Sequence, residues 1–190
     1  MRASRLKPLG ALSAIAPVAV SAVALRLSDP EQQEFQVING VVGESIKVNE
    51  GEVTVTEVRV GTALKEYDQV RDTTAGMFVV VRATGAATGP KPLSLLAARL
   101  LSGDVRYEGY SLSVGVSADP GFQTTRDSVF EVDPAQIDNL TLELGSNEIL
   151  HGYQQRVHIE LGVTRANADQ WRAAAKGAVE PALDSTRAIP

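Results

Sequence analysis

From Tyr153 to Val163 the chain alternates. Tyr153, Val157, Ile159, Leu161 and Val163 share one parity, Gln154, Arg156, His158 and Glu160 the other, and only Gln155 interrupts the apolar row. Side chains on a strand point to opposite faces with period two, so this row predicts a half-buried antiparallel strand rather than a helix. A strand of this kind needs neighbours in a sheet and a second layer over its apolar face.

Other stretches repeat the theme. Phe78-Val79-Val80-Val81-Arg82-Ala83-Thr84, entered through Gly76-Met77, is a β-branched apolar run that predicts a central strand buried on both faces. Glu52 to Val60 reads EVTVTEVRV, with Val53 and Val55 on one parity and Val58 and Val60 on the other. A regular strand cannot place all four valines on one face, so the phase slip predicts a β-bulge near Thr56-Glu57. Ser128, Phe130 and Val132 alternate up to Asp133-Pro134, and Leu140, Leu142 and Leu144 alternate with Thr141 and Glu143. Leu93 to Leu101, Val105 to Tyr107 and Ser111 to Val116 are read as further short strands, and Asp119-Pro120-Gly121 as a turn. The polar stretch Thr62 to Ala75 is read as a connection with at most one helical turn, and Gly85 to Pro92 as a turn. Asn167 with Gln170 has the form of a capping box. Trp171, the alanines 173–175, Lys176 and Gly177 complete the signature of a short helix of about ten residues pinned to the sheet by Trp171. With no βαβ rhythm, seven to nine strands over residues 35–165 argue for an all-β chain, an antiparallel β-sandwich with a short C-terminal helix; a β-barrel is the rival.

The N-terminus has a different character. Arg2, Arg5 and Lys7 precede eighteen uncharged residues, Pro8 to Leu25, which Arg26 ends. A basic lead before an apolar stretch marks a membrane-targeting segment with its N-terminal end in the cytoplasm. As a helix, eighteen residues span roughly 27 Å, enough to cross the hydrocarbon as a signal anchor. The alternative is a signal peptide cleaved after Ala22-Val23-Ala24, giving a secreted chain. The expected organisation is a signal anchor or signal peptide over 1–27, a linker over 28–39, a β-sandwich with its terminal helix over 40–177, and a flexible tail over 178–190.

Charge and composition narrow the chemistry. Of 18 basic and 23 acidic residues, the first 24 positions hold three basic and no acidic ones, leaving the remainder with 15 against 23, a balance of −8. Nucleic acid would repel such a domain, and 5 % aromatics offer no stacking platform. Cysteine is absent, which excludes disulfides, thiolate metal sites and a cysteine nucleophile. The two histidines cannot build a three-histidine zinc site. His158 falls on the polar face of its strand and is read as a surface residue, and His151, before Gly152, as a turn residue. The carboxylates Asp127, Glu131, Asp133 and Asp138 cluster in sequence but match no EF-hand spacing, and are read as solvated flanks of strands. Asn139-Leu140-Thr141 has the form of a glycosylation acceptor, but Leu140 reads as core. Tyr107, Tyr110 and Phe122 flank the 111–116 strand and could line a binding surface or plug an end of the sandwich. No catalytic, cofactor-binding or metal-ligating residue is expected, no cofactor, and no enzyme activity.

Gly43-Glu44-Ser45, the EVTVTEVRVG strand at 52–61, Gly76 to Val81, and Phe130-Glu131-Val132-Asp133 followed by a Leu-x-Leu-x-Leu strand together resemble the telokin-like, immunoglobulin-like domain of unknown function found in bacterial secreted lipoproteins. The resemblance covers roughly residues 40–163, and the alanine, arginine and valine usage is of an actinobacterial type. Many members carry a lipobox cysteine; this chain has none, which favours a peptide anchor. The resemblance implies an immunoglobulin-like, extracytoplasmic sandwich used in interaction or assembly, with no shared catalytic residues. The expected function is a membrane-tethered interaction module, accessory to an envelope or transport complex, with a protein partner in the cell envelope and a membrane contact through residues 8–25. The alternative is a secreted protein binding a small ligand or ion.

Overall fold

The computed structural model describes residues 36–48, 50–110, 115–146 and 155–190. The chain divides into Met1–Glu34 and Phe35–Pro190, and every described residue belongs to the second unit. The apolar stretch 8–25, His151, and residues 111–114 and 153–154 of the predicted strands lie outside the described residues. Among the described residues no helix is long and apolar enough to cross a membrane.

The fold is mostly β, in two main sheets. The first has the order β1 (Gln36–Val41), β11 (Gln155–Thr164), β10 (Asn139–Gly145), β6 (Ala97–Ser102), β7 (Val105–Glu108). The second has the order β12 (Ala178–Val179), β3 (Gly51–Glu66), β4 (Gln69–Ala86), β9 (Phe122–Val132), β13 (Ser185–Ala188), with β2 (Ile46–Val48) also paired to β3. A small ribbon pairs β5 (Leu93–Leu95) with β8 (Val116–Ala118), and a 3₁₀ turn Pro134–Gln136 and a helix α1 (Ala168–Ala174) complete the described elements.

The core lies between the two sheets. Leu100, Leu140, Leu142, Leu144, Val157, Ile159, Leu161 and Val163 of the first sheet join Val53, Val55, Met77, Val79, Val81, Phe130 and Val132 of the second in one buried cluster. At roughly 1.5–3 kcal/mol for each aliphatic side chain removed from water, this interface is the main stabilising term. The predicted bulge is present. Val55 pairs with Ala83 but Glu57 with Arg82, so Thr56 is the extra residue, and Val58 and Val60 return to the same core as Val53 and Val55. The central strand is β4, buried on both faces: Phe78 and Val80 point away from the main core into a second cluster with Leu64, Val129 and Val179.

Several expectations are corrected. The sandwich is not purely antiparallel, because β1 runs parallel to β11 and β12 parallel to β3. Strand β11 is therefore antiparallel only toward β10. Among the described residues between 36 and 164 there are eleven strands, not seven to nine: Leu93 to Leu101 divides at Leu96, and short strands such as β2 carry too few residues to show a period. Strand β1 opens at Gln36, inside the expected linker. Thr62 to Ala75 is not a connection but the far end of the β3–β4 hairpin, closed by the two residues Tyr67 and Asp68 at φ 52° and 61°. Positive φ at both central positions is the type I′ geometry whose twist matches that of the strands. The stretch looks like a loop in sequence because, past Gly76, most of its residues from 66 to 73 meet solvent on both faces. The helix has seven residues, and Asn167 does not cap it through its side chain. Its Oδ1 instead accepts from the Thr164 amide (2.7 Å) and its Nδ2 donates to the Gly162 carbonyl (2.8 Å), tying the helix start back to β11. Trp171 does pack against the core. Residues 178–190 hold two strands in place of the expected tail, since their backbone groups find partners on β3 and β9.

Candidate functional site

The outer face of the second sheet carries the densest polar organisation among the described residues. Three strands contribute one row: Glu57 of β3 lies opposite Arg82 of β4, and Arg82 opposite Asp127 of β9. The bulge at Thr56 is what brings Glu57, rather than its neighbour, into register with Arg82. Arg82 grips Asp127 with two bonds, Nε to Oδ1 (2.9 Å) and Nη2 to Oδ2 (3.1 Å), while its Nη1 donates to Glu57 (2.8 Å). Arg59 also donates to Asp127. The Asp127 side chain is 1 % exposed, and paired guanidiniums are what make such burial of a carboxylate tolerable.

The same carboxylate fastens the C-terminal segment. After α1 the chain joins β3 through β12, crosses the outer face of the sheet, and joins β9 through β13. On the way the Ala182 amide donates to Asp127 Oδ2 (2.8 Å), and the Glu180 carbonyl accepts from Arg59 Nη1 (2.8 Å). Farther on, Arg126 Nε donates to Asp184 (2.8 Å) and the hydroxyls of Thr124 and Thr186 bond at 3.1 Å. This strap and the hairpin arm bound a groove of about 970 Å³, with Leu64, Tyr110 and Val129 as apolar wall and Arg71, Arg126, Glu66 and Asp184 among its charges. Tyr110 stands edge-on to Phe78 (centroids 5.3 Å apart) and donates its hydroxyl to Asp72. That bond, with the Thr73 amide behind it, holds the Asp72 carboxyl below the usual aspartate range.

Around this groove apolar side chains stand in water. Tyr67 at the arm's tip is 76 % exposed, Val70 on the arm 57 %, and Leu183 on the strap 81 %. Sequence reasoning missed all three. The only available signal was the isolated apolar residues in polar stretches, Tyr67 between Glu66 and Asp68 and Val70 between Gln69 and Arg71.

The sequence cluster of carboxylates separates in space. Asp127 sits in the arginine row, Glu131 accepts from Thr74, Asp133 caps the 3₁₀ turn through the Ala135 amide (2.9 Å), and Asp138 pairs with Arg165 (3.3 Å). Among the described residues no three His, Cys, Asp or Glu side chains converge as a metal would require. Leu140 of the Asn139-Leu140-Thr141 triplet is fully buried, as read. Of the aromatic set, Tyr110 lines the groove, Tyr107 packs against the core, and Phe122 stays partly exposed at the start of β9.

His158 lies on the polar face as expected, but it is not a plain surface residue. Its Nε2 meets Glu143 Oε2 at 2.9 Å, and Arg156 (3.2 Å) and Arg99 (3.3 Å) close on the same carboxylate. Burial alone would raise the Glu143 carboxyl; the bond from His158 and the charges of Arg156 and Arg99 outweigh it and hold the group below the usual glutamate value.

No family model matches the chain, and no curated protein matches it. Among solved structures it is similar to an uncharacterized β-sandwich protein from Clostridium difficile, at 14 % identity and TM-score 0.43, over 68 % of this chain and 99 % of that one. It is also similar to a candidate lipoprotein from Bacillus subtilis, at 17 % identity and TM-score 0.45, over 69 % of this chain and 41 % of that one. A conserved hypothetical protein from Bacillus anthracis aligns at 20 % identity and TM-score 0.40, over 61 % and 93 % of the two chains.

Proposed function

We propose that this chain is a non-catalytic interaction module, an immunoglobulin-like sandwich of the telokin-like kind, held outside the membrane by residues 8–25 as a single-pass anchor and docking on a protein of the cell envelope or of a transport complex. The observation that carries the docking reading is the hairpin arm. It projects two strands beyond their sheet partners, and its tip offers Tyr67 and Val70 to solvent, with Leu183 of the strap beside the same groove. The apolar surface of these side chains gains nothing from water, and tyrosine is a favoured anchor at protein interfaces. Export is supported by the basic lead and the uncharged run that follows it.

Two measurements on one strain test this. A photo-crosslinking residue in place of Tyr67 should give a discrete adduct in the native membrane, and one in place of Arg106, on the exposed edge of the first sheet, should give none. Externally added protease should degrade the domain in intact spheroplasts. Equal labelling at both positions removes the docking reading, and a domain protected from protease removes the topology.

The groove favours a second reading, a secreted small-ligand-binding protein released by cleavage after Ala24. Its apolar wall, beside the Arg71–Glu66 and Arg126–Asp184 pairs, suits a small molecule with an apolar body and polar groups of both kinds. A chain beginning at Leu25 in the culture medium, stabilised against heat by an envelope extract, would favour this reading over the anchored one.

A further inference from the structure

We propose that the edge of β9 from Phe122 to Arg126 is a binding site for an extended polypeptide segment, occupied in this structure by the chain's own β13, and that a partner carrying an acidic residue followed two positions on by threonine or serine displaces it. The inference deepens the interaction-module reading and rests on it, but it uses neither the arm nor the membrane segment.

The tail has two unlike halves. Its first half is anchored: Val179 is buried in the second apolar cluster, and the Ala182 amide is held by the buried Asp127. Beyond Ala182 nothing comparable holds it. Leu183 and every residue from Asp184 to Ala188 are exposed, so β13 contributes no apolar burial to the fold. It is retained by strand hydrogen bonds to β9, by the Arg126–Asp184 pair, by the Thr124–Thr186 bond and by the Ile189 amide on the Gly121 carbonyl (2.9 Å). Exposed ion pairs and strand-edge hydrogen bonds open readily, and segments without buried apolar contacts open first.

The surface left behind would be specific. Thr125, Thr124, Gln123 and Phe122 pair in order with Ser185, Thr186, Arg187 and Ala188. That register puts Arg126 opposite Asp184, and its guanidinium takes the carboxylate by Nε (2.8 Å) and Nη2 (2.6 Å). On its other side β9 is backed by β4, so the edge is rigid before anything binds. An open edge of this kind binds strands by main-chain hydrogen bonds, with side-chain pairs giving the selectivity. The bound tail thus serves as a template for the partner: Asp184 for the acidic position and Thr186 for the hydroxyl.

The test uses the full chain and a fluorescent peptide with the sequence of residues 183–190. When the tail competes, the apparent affinity falls by the fraction of time the edge is open. Asp184→Ala weakens the tail alone, so it should bind the peptide at least about threefold more tightly than the unaltered chain. Adding Arg126→Ala should reduce that binding about threefold, a peptide with alanine at the aspartate should lose about as much, and a scrambled peptide should bind more weakly than either. Heat unfolding of each variant confirms that the sandwich persists. Equal peptide binding by the unaltered chain and Asp184→Ala, or no binding to either, overturns the proposal. So does a concentration-dependent dimer that the peptide dissociates, since that assigns the edge to a second copy of this chain. None of these results bears on crosslinking at Tyr67.

Discussion

Replacing Asp127 by alanine removes a group that ties β3, β4, β9 and the strap together. Its carboxylate takes two bonds from Arg82, one from Arg59 and one from the Ala182 amide. Breaking a fully buried ion pair from one side costs roughly 3–5 kcal/mol, because the other charge is left without compensation. Here the arginines are about a quarter exposed, at 27 % and 29 %, and both keep Glu57. Water and Glu57 therefore recover part of the loss, and the expected cost is about 2–3 kcal/mol. For a domain of this size that corresponds to a fall in Tm of roughly 4–12 °C. Urea unfolding gives the stability change, and native-state hydrogen exchange reads the Ala182 amide, which should lose protection beyond the global change because its acceptor is gone. Asp127→Asn keeps one acceptor oxygen but turns an amide donor toward a guanidinium, and should fall between the two. A loss under about 0.5 kcal/mol, the range of ordinary surface substitutions, or an Ala182 amide that exchanges as before, would refute the account of Asp127 as the fastening of the strap.

Two further outcomes follow from local geometry. Tyr67 and Asp68 hold positive φ without being glycine, so Tyr67→Asn combined with Asp68→Gly should raise the urea midpoint, by about 0.5–1.5 kcal/mol in stability; no gain would mean the turn is not strained as its angles imply. Glu143 is held below the usual glutamate value in the folded chain, so its contribution to stability is complete above the unfolded glutamate value and disappears as the pH falls through the lower folded one. Between pH 5 and pH 3 the unaltered chain should therefore lose more stability than Glu143→Gln, and parallel pH profiles for the two would show that Arg99, Arg156 and His158 do not favour its charge.

How much could be read beforehand depended on range. The bulge at Thr56 was legible because a slip of parity among Val53, Val55, Val58 and Val60 is a local fact, and only an extra residue resolves it. The turn at Asp119-Pro120-Gly121 was legible for the same reason: Gly121 takes φ 81° and the Phe122 amide closes on Asp119 (2.9 Å), as proline and glycine at those places require. The arm was not legible, because strands that leave the sandwich need no apolar face, and without one they carry no period. Strand β13 was not legible either, being four residues long and exposed throughout. Asn167 stood at the right place but turned its side chain to Thr164 and Gly162, partners supplied by how β11 ends rather than by the helix.

The amino-acid order determined by itself the strands that bury an apolar face, the bulge at Thr56 and the turn at Asp119–Gly121, since these follow from side-chain alternation and local backbone sterics. Only the tertiary structure decided who sits beside whom. Arg59 and Arg82 reach Asp127 across 68 and 45 positions of chain, Glu143 finds His158 on the next strand, and the last residues close on β9. Such pairings depend on the register between strands distant in sequence, and register is set by the packing of the two apolar layers as a whole.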